Sequence, residues 1–448
     1  MLKKRKITGT YMQDVSPLLK VRVKRSGSRG LLFCIVFTLM LFISGCGHEK
    51  EAEKTGQADA TGIPVTFLIN PATNLSENKD LVEAFNEEYE GEYYVDAEWL
   101  TESTSGYREK LKQWNILDEM PAVITDAGFD YDFYTLLIEN KRLVNLRPYM
   151  DALPGWKAAV EPGILDECTE ESGEIYLAPL GSGIQSYAGI IYNKELLRQA
   201  GYETFPASWE EFWECLDALE ANGITPLSLH GSGSYWVPML FASGYLYGTQ
   251  EGSAFLDQDF PDSYQTPVME ELMAMLAKMY RYTYEDAVEI DYDEAEERFC
   301  TGEAAIFANG YWMIQEMPDE AKDKMGFAPF PGNILMNSPR MSAWAVTAGY
   351  DAKVTDGAAK LLAFRIKLDA ENTGNLRNKV GVSAVESAYI DAVESVGTVM
   401  PNYQMKWEQE LQNDFFTENI PDFLDGEKDA GSFLREMDER LGEIRAKK

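Results

Sequence analysis

The chain has 448 residues, 45% of them hydrophobic and 25% charged, enough apolar material for more than one packed core. Its 40 basic and 74 acidic side chains leave a net charge of −34, a balance that repels phosphate and argues against a nucleic-acid partner. Two His residues in the whole chain leave little room for a His-built metal site or a His-based nucleophilic triad, and no cofactor is expected.

The charge is unevenly spread. Residues 1–30 hold nine Lys or Arg and one acid, Asp14, whereas the chain from Cys46 onward holds 31 basic and 73 acidic residues. Between them, residues 31–43 (LLFCIVFTLMLFI) form an apolar run shorter than the ~20 residues that span a bilayer. Basic residues before it and small ones after it predict a secretory signal over residues 1–45, with Met12 as an alternative start. The run ends Ile43-Ser44-Gly45-Cys46, which resembles the bacterial lipobox. That resemblance makes the Cys46 thiol the predicted lipidation site. Residues 46–62 are polar and small, without apolar periodicity, and predict a flexible tether. The folded part then starts at residue 63, on the extracellular face of the bacterial cytoplasmic membrane and held there by acyl chains. Cys168, Cys215 and Cys300 are too widely spaced for a zinc pattern. They are expected as buried thiols, with one disulfide plus a free thiol as the alternative.

Residues 64–69 (PVTFLI) predict a strand, and 78–90 a helix with Leu81, Val82 and Phe85 on one face. A strand over 93–100, a helix over 107–117 and a buried strand over 122–125 follow. This alternation predicts a parallel α/β sheet. The middle repeats the character: a strand at 189–192, a helix from 194, and a helix to 219 whose Ser208 and Glu211 form a predicted capping box. A strand at 227–229, helices over 267–314 and strands at 327–331 and 343–347 come next, before a mostly helical last hundred residues.

Several short stretches, in order, resemble one family. They are Pro121-Ala122-Val123-Ile124, Leu143-Val144-Asn145-Leu146, Tyr176-Leu177-Ala178-Pro179 and Ile191-Tyr192-Asn193-Lys194. Ala200-Gly201-Tyr202, Ser208-Trp209-Glu210-Glu211-Phe212, Asn222-Gly223-Ile224-Thr225-Pro226, Thr301-Gly302-Glu303-Ala304-Ala305 and Gly310-Tyr311-Trp312 continue the series. Together they are similar to the extracellular solute-binding proteins of ABC importers, in the group that includes maltodextrin binders. Ala122, Ser208, Glu303 and Ile306 depart from the family's usual Asp, Thr, Lys and Met. The resemblance implies an α/β, two-lobe periplasmic-binding-protein-like fold of type II. It implies lobe 1 over 63–182 and 331–378, lobe 2 over 183–330 and 379–448, and crossings near 181–190, 327–332 and 378–382. Gly181-Ser182-Gly183 and Pro329-Phe330-Pro331-Gly332 suit hinge borders.

A sugar presents apolar C–H faces ringed by hydroxyls, so its site needs aromatic platforms with polar groups around them. Trp312 lies in Asn309-Gly310-Tyr311-Trp312, and the resemblance implies that it stacks on a sugar ring. Trp236 and Tyr235 follow a Gly-Ser loop at a strand's C-terminal end, where open α/β sheets bind ligands. Trp344 stands between cleft and core, and Tyr187 lies in the first crossing. Asn70, Thr73 and Asp126 follow lobe 1 strands as polar candidates, and Arg340 suits a ring hydroxyl or an acidic sugar. Trp209 and Trp213, four apart on a helix, are expected in the core or on the lobe surface, and His230 as a plain loop residue. Residues 291–297 (DYDEAEE) lack the spacing of a calcium loop and predict a solvated helix start.

The function this implies is a monomeric substrate-binding lipoprotein that captures a carbohydrate by hinge closure and delivers it to an ABC permease. Alternatives keep the fold with a polyamine or peptide ligand, or present ligand to a sensor. A secreted glycoside hydrolase is the remaining reading, but no sequence pair marks the two carboxylates it needs.

Overall fold

The computed structural model describes residues 53–54, 61–69, 75–99, 104–125, 131–153 and 155–447. The predicted signal, Cys46 and most of the predicted tether lie outside the described residues, but Glu53 and Lys54 of that tether pair with Trp99 and Glu98 as a short edge strand.

Strands and helices alternate through the first part: β1 (Glu53–Lys54), β2 (Ile63–Ile69), α1 (Leu75–Glu88), β3 (Tyr93–Trp99), α2 (Thr104–Leu117) and β4 (Val123–Ile124). The middle holds β5 (Ala188–Asn193), α3 (Trp209–Ala221), β6 (Thr225–Leu227), α4 (Trp236–Tyr247), α5 (Tyr292–Thr301), β7 (Ala304–Gly310), α6 (Tyr311–Glu316), β8 (Met325–Ala328) and β9 (Ile334–Met336). β10 (Ala345–Val346), α7 (Ala352–Arg377), α8 (Ala384–Ser395) and β11 (Thr398–Met400) follow.

These strands form two separate sheets. The first has the order β1-β3-β2-β4-β10, the second β11-β9-β5-β7-β6 with β8 also paired to β5. Neither is purely parallel, as the alternation had predicted. β2 runs parallel to β3 and β4, but β10 and β1 are antiparallel edges. In the second sheet β6 is parallel to β7, whereas β5 runs against β7, β8 and β9.

Each sheet has its own apolar packing, which gives the chain two lobes. Alternate residues of β2 serve opposite faces: Val65, Phe67 and Ile69 join one core with Phe85 and Phe364, and Leu68 joins another with Ile124 and Tyr107. The second sheet lies in a larger core with Phe212, Phe241, Phe307 and Phe330. Fully burying one such ring stabilises by roughly 1.5–3 kcal/mol.

The crossings differ from expectation. Residues 331–336 were assigned to lobe 1, yet Ile334–Met336 pairs with β5 and β11 and its side chains lie in the second core. The segment 329–332 is a turn between β8 and β9, closed by a Phe330 N–H to Ile334 O bond at 2.8 Å, with Gly332 at φ 95°. The chain passes between sheets after Met336 instead. The first crossing is a clamped segment. Asp369 of α7, 4% exposed, accepts from Gly181 N at 2.7 Å, Ser182 N at 3.4 Å and Gln185 Nε2 at 2.6 Å. A Cβ on Gly181 would stand 2.3 Å from the Ala159 carbonyl oxygen, so only glycine fits there. α7 itself joins the lobes: Ala358, Leu362 and Ile366 pack in the first, Leu376 in the second.

Two helix starts show how local chemistry settled. Ser208 caps α3 by accepting from Glu211 N at 3.2 Å, but the Glu211 carboxylate accepts from Ala207 N, so the predicted box is only half made. The reciprocal box occurs at α8, between Ser383 and Glu386. Cys168, Cys215 and Cys300 are free thiols, two buried and Cys300 half-buried.

Candidate functional site

β7 is buried along its whole length and ends at Gly310, where α6 begins. A Cβ on Gly310 would lie 2.1 Å from Cζ3 of Trp312, so the indole lies folded across the bare glycine backbone. α4 starts at Trp236, whose ring centroid is 6.3 Å from that of Trp312. α5 starts at Tyr292, after the Asp291 side chain caps the helix by accepting from Glu294 N at 3.0 Å. The Tyr292 ring is 5.3 Å from Trp236 and stacks on Phe307 of β7 at 6.0 Å and 26°. Three helix starts thus bring Trp236, Tyr292 and Trp312 together, and all three rings are half-buried. The result is a broad aromatic surface able to receive a flat apolar face.

Buried polar groups lie beneath this surface. Asn309 is fully buried, donates from Nδ2 to the Tyr292 hydroxyl at 2.9 Å and accepts from Gly310 N at 2.8 Å. Burial, with Glu296 beside it, holds the Tyr292 hydroxyl well above the usual phenol range. His230 is fully buried, its ring 5.8 Å from Tyr292 and 6.5 Å from Trp236. Among the described residues neither ring nitrogen has a partner in hydrogen-bond geometry, although the Ser234 backbone faces the ring. Burial pulls the imidazole down to about 4, against the opposing pull of Asp291, so it is neutral at physiological pH.

Of the residues predicted as contacts, Trp236 and Trp312 meet. Tyr235 does not join them. It is 2% exposed and packs inward, near Tyr280, Met239 and Phe416. Tyr235 is the N-cap of α4, with non-helical backbone angles, so its ring leaves in a different direction from that of Trp236. Trp344 belongs to the first core: it is 4% exposed, 4.6 Å from Phe67, with the Arg365 guanidinium 4.1 Å over its ring. Tyr187 stands half-buried at the first crossing, where its N–H donates to the Tyr389 hydroxyl at 3.3 Å. Arg340 is held within the first lobe, 3.6 Å from Glu170 and 5.4 Å over Tyr134. Asn70, Thr73 and Asp126 lie outside the described residues. Trp209 and Trp213 pack around Phe212, as expected of lobe residues, and the Lys278 ammonium sits 3.4 Å over Trp213. Tyr292 was not among the expected contacts, since it sits in the acidic run at 291–297, and His230 was expected as a plain loop residue.

A cavity of ≈ 180 Å³ opens elsewhere, on the first lobe between Asp96, Glu98, Trp114, Glu119 and Tyr350. None of its walls comes from the aromatic surface. Among the described residues no His, Cys, Asp and Glu side chains gather as a metal site.

The model of a family described as bacterial extracellular solute-binding protein matches residues 80–374. The chain belongs to that family. As a solute-binding protein its expected place is outside the cytoplasm. It is similar to a "Probable sugar-binding periplasmic protein" of Brucella melitensis biotype 1, at 26% identity over 235 residues, 51% of this chain and 53% of that one. This solute-binding protein thus spans about half the length of the curated relatives it matches. Among solved structures it resembles a "Chitin oligosaccharide binding protein" with a TM-score of 0.71 and 18% identity, over 86% of this chain and 99% of that one. A structure described with xylan utilization by Caldanaerobius polysaccharolyticus matches at a TM-score of 0.70 and 17% identity, over 84% of this chain and all of that one. These likenesses confirm the two-lobe fold.

Proposed function

We propose that this protein captures a carbohydrate on the Trp236–Tyr292–Trp312 surface and holds it by closure of the two lobes. The observation that carries this reading is the meeting of three half-buried rings at the starts of three helices. Indole and phenol faces suit the C–H faces of pyranose rings, and the relatives named as sugar-binding support the ligand class. Closure needs a ligand that binds the closed arrangement better than the open one; no bond is made or broken. Tyr187, at the first crossing, is the further candidate contact from the sequence reading, with Asn70, Thr73 and Asp126 as polar candidates.

The protein serves an ABC importer, handing the sugar to a membrane permease as a monomer. Cys46 carries the acyl anchor that keeps it at the extracellular face of the membrane.

Titration calorimetry of the protein against a panel of neutral and amino saccharides tests this, with Trp312→Ala as the paired variant. Binding of a saccharide, weakened at least about tenfold by Trp312→Ala, is expected. Full affinity in that variant would remove the stacking role.

A further inference from the structure

The aromatic surface has charge as well as shape. Helices α5 and α6 repeat one spacing, an aromatic residue in the first turn and a Glu four positions later: Tyr292 with Glu296, and Trp312 with Glu316. Residues i and i+4 share a helix face, so each ring has a carboxylate one turn behind it. Glu296 is half-buried and its carboxylate reaches the Tyr292 hydroxyl. Burial raises its proton affinity, the Tyr292 hydroxyl opposes this by hydrogen bonding, and the neighbouring charges of Asp293 and Glu316 add to the rise. Cations close in sequence are committed elsewhere. Arg298 pairs with Asp286 and Glu294, and Lys322 donates to the Gln315 carbonyl. A half-buried carboxylate among acids favours a cation that arrives with the ligand.

A second observation is independent of the carboxylates. His230 is fully enclosed beside Trp236 and Tyr292, and among the described residues neither of its nitrogens has a partner in hydrogen-bond geometry. A neutral imidazole offers one acceptor nitrogen and one N–H. A buried polar ring without partners is costly, and a donor supplied by a ligand relieves that cost.

We propose that the aromatic surface takes a saccharide bearing a protonated amine, with Glu296 as its counter-charge and His230 as a hydrogen-bonding group within the ring cluster. This rests on the carbohydrate reading above and narrows its ligand class. The flat ring face meets the indoles, and the ammonium meets the Glu296 carboxylate, which no cation among the described residues pairs with. The chain's net charge of −34 draws a cationic solute towards the protein.

Acetylation removes the charge of an amino sugar and keeps its ring. Calorimetric titration of the full-length protein with glucosamine and its short oligomers, each against its N-acetylated counterpart, therefore isolates the amine. The amine form is expected to bind about tenfold tighter or better, with a preference that shrinks as salt is raised. Glu296→Gln is expected to bring the ratio of the two affinities towards one. The wild-type comparison stands even if that variant folds poorly. Equal affinities, or tighter binding of the acetylated form, overturn the proposal and leave the carbohydrate site standing. Binding of neutral maltooligosaccharides with neither hexosamine form bound does the same. Failure of every saccharide to bind overturns the carbohydrate reading itself. A Glu296→Gln variant that keeps the full ratio removes Glu296 as the counter-charge.

Discussion

The Asp369 carboxylate accepts a hydrogen bond from the Gly181 backbone N–H at 2.7 Å, although the two residues are 188 positions apart. With the bonds from Ser182 and Gln185, this ties the first crossing to the middle of α7. Asp369→Asn replaces one acceptor oxygen with a donor that faces other donors. We expect a loss of about 2–4 kcal/mol in stability, read from urea unfolding. A variant as stable as the wild type would show that the clamp contributes nothing.

His230 sets a pH dependence. Burial lowers its pKa from 6.5 to about 4 in the folded protein. The unfolded chain therefore binds more protons than the folded one between those values, and stability rises with pH across that window. The contribution is fully present above 6.5 and is lost as pH falls through 4; its size is about 3 kcal/mol. His230→Asn cannot titrate there. Unfolding free energies of the two proteins, compared at pH 7 and pH 4, should show a steeper fall for the wild type. Parallel falls would mean that the imidazole is not held neutral.

Gly310→Ala probes the platform without removing a ring. The added methyl group meets Trp312 at 2.1 Å, so the indole must leave the glycine backbone. A stability cost of about 1–3 kcal/mol is expected, together with a change in near-ultraviolet circular dichroism and weaker saccharide binding. An unchanged spectrum would place Trp312 elsewhere.

Trp344→Ala should behave differently. Its ring packs on Phe67 in the first core, so truncation is expected to cost about 3–5 kcal/mol of stability. A drop in ligand affinity at undiminished thermal stability would return Trp344 to the binding surface.

What the sequence disclosed depended on the range of each interaction. Trp312 could be found because it lies beside a glycine, in the Gly310-Tyr311-Trp312 stretch that carries part of the family resemblance. Trp236 could be found because it follows a Gly-Ser loop. Tyr292 was hidden because five acids surround it in residues 291–297, and a run of that kind reads as solvent-facing. Only the fold shows that its ring turns back onto Phe307. Asp369 was hidden for another reason: its partners lie nearly two hundred residues earlier, and no local pattern announces them. The turn at 329–332 was read as a border because Pro and Gly mark a change of direction without saying whether the chain stays in its sheet. Two strands begin two residues before their expected starts, since the apolar runs continue beyond their ladders: 227–229 against Thr225–Leu227, and 327–331 against Met325–Ala328.

The helix Ala352–Arg377 has 26 residues, about 39 Å of continuous rod, and its two ends are embedded in different cores. Neither core can melt without exposing apolar surface on a helix that the other still holds. Heating should therefore produce one cooperative calorimetric peak for the pair, where two lobes joined only by slack strands would give two.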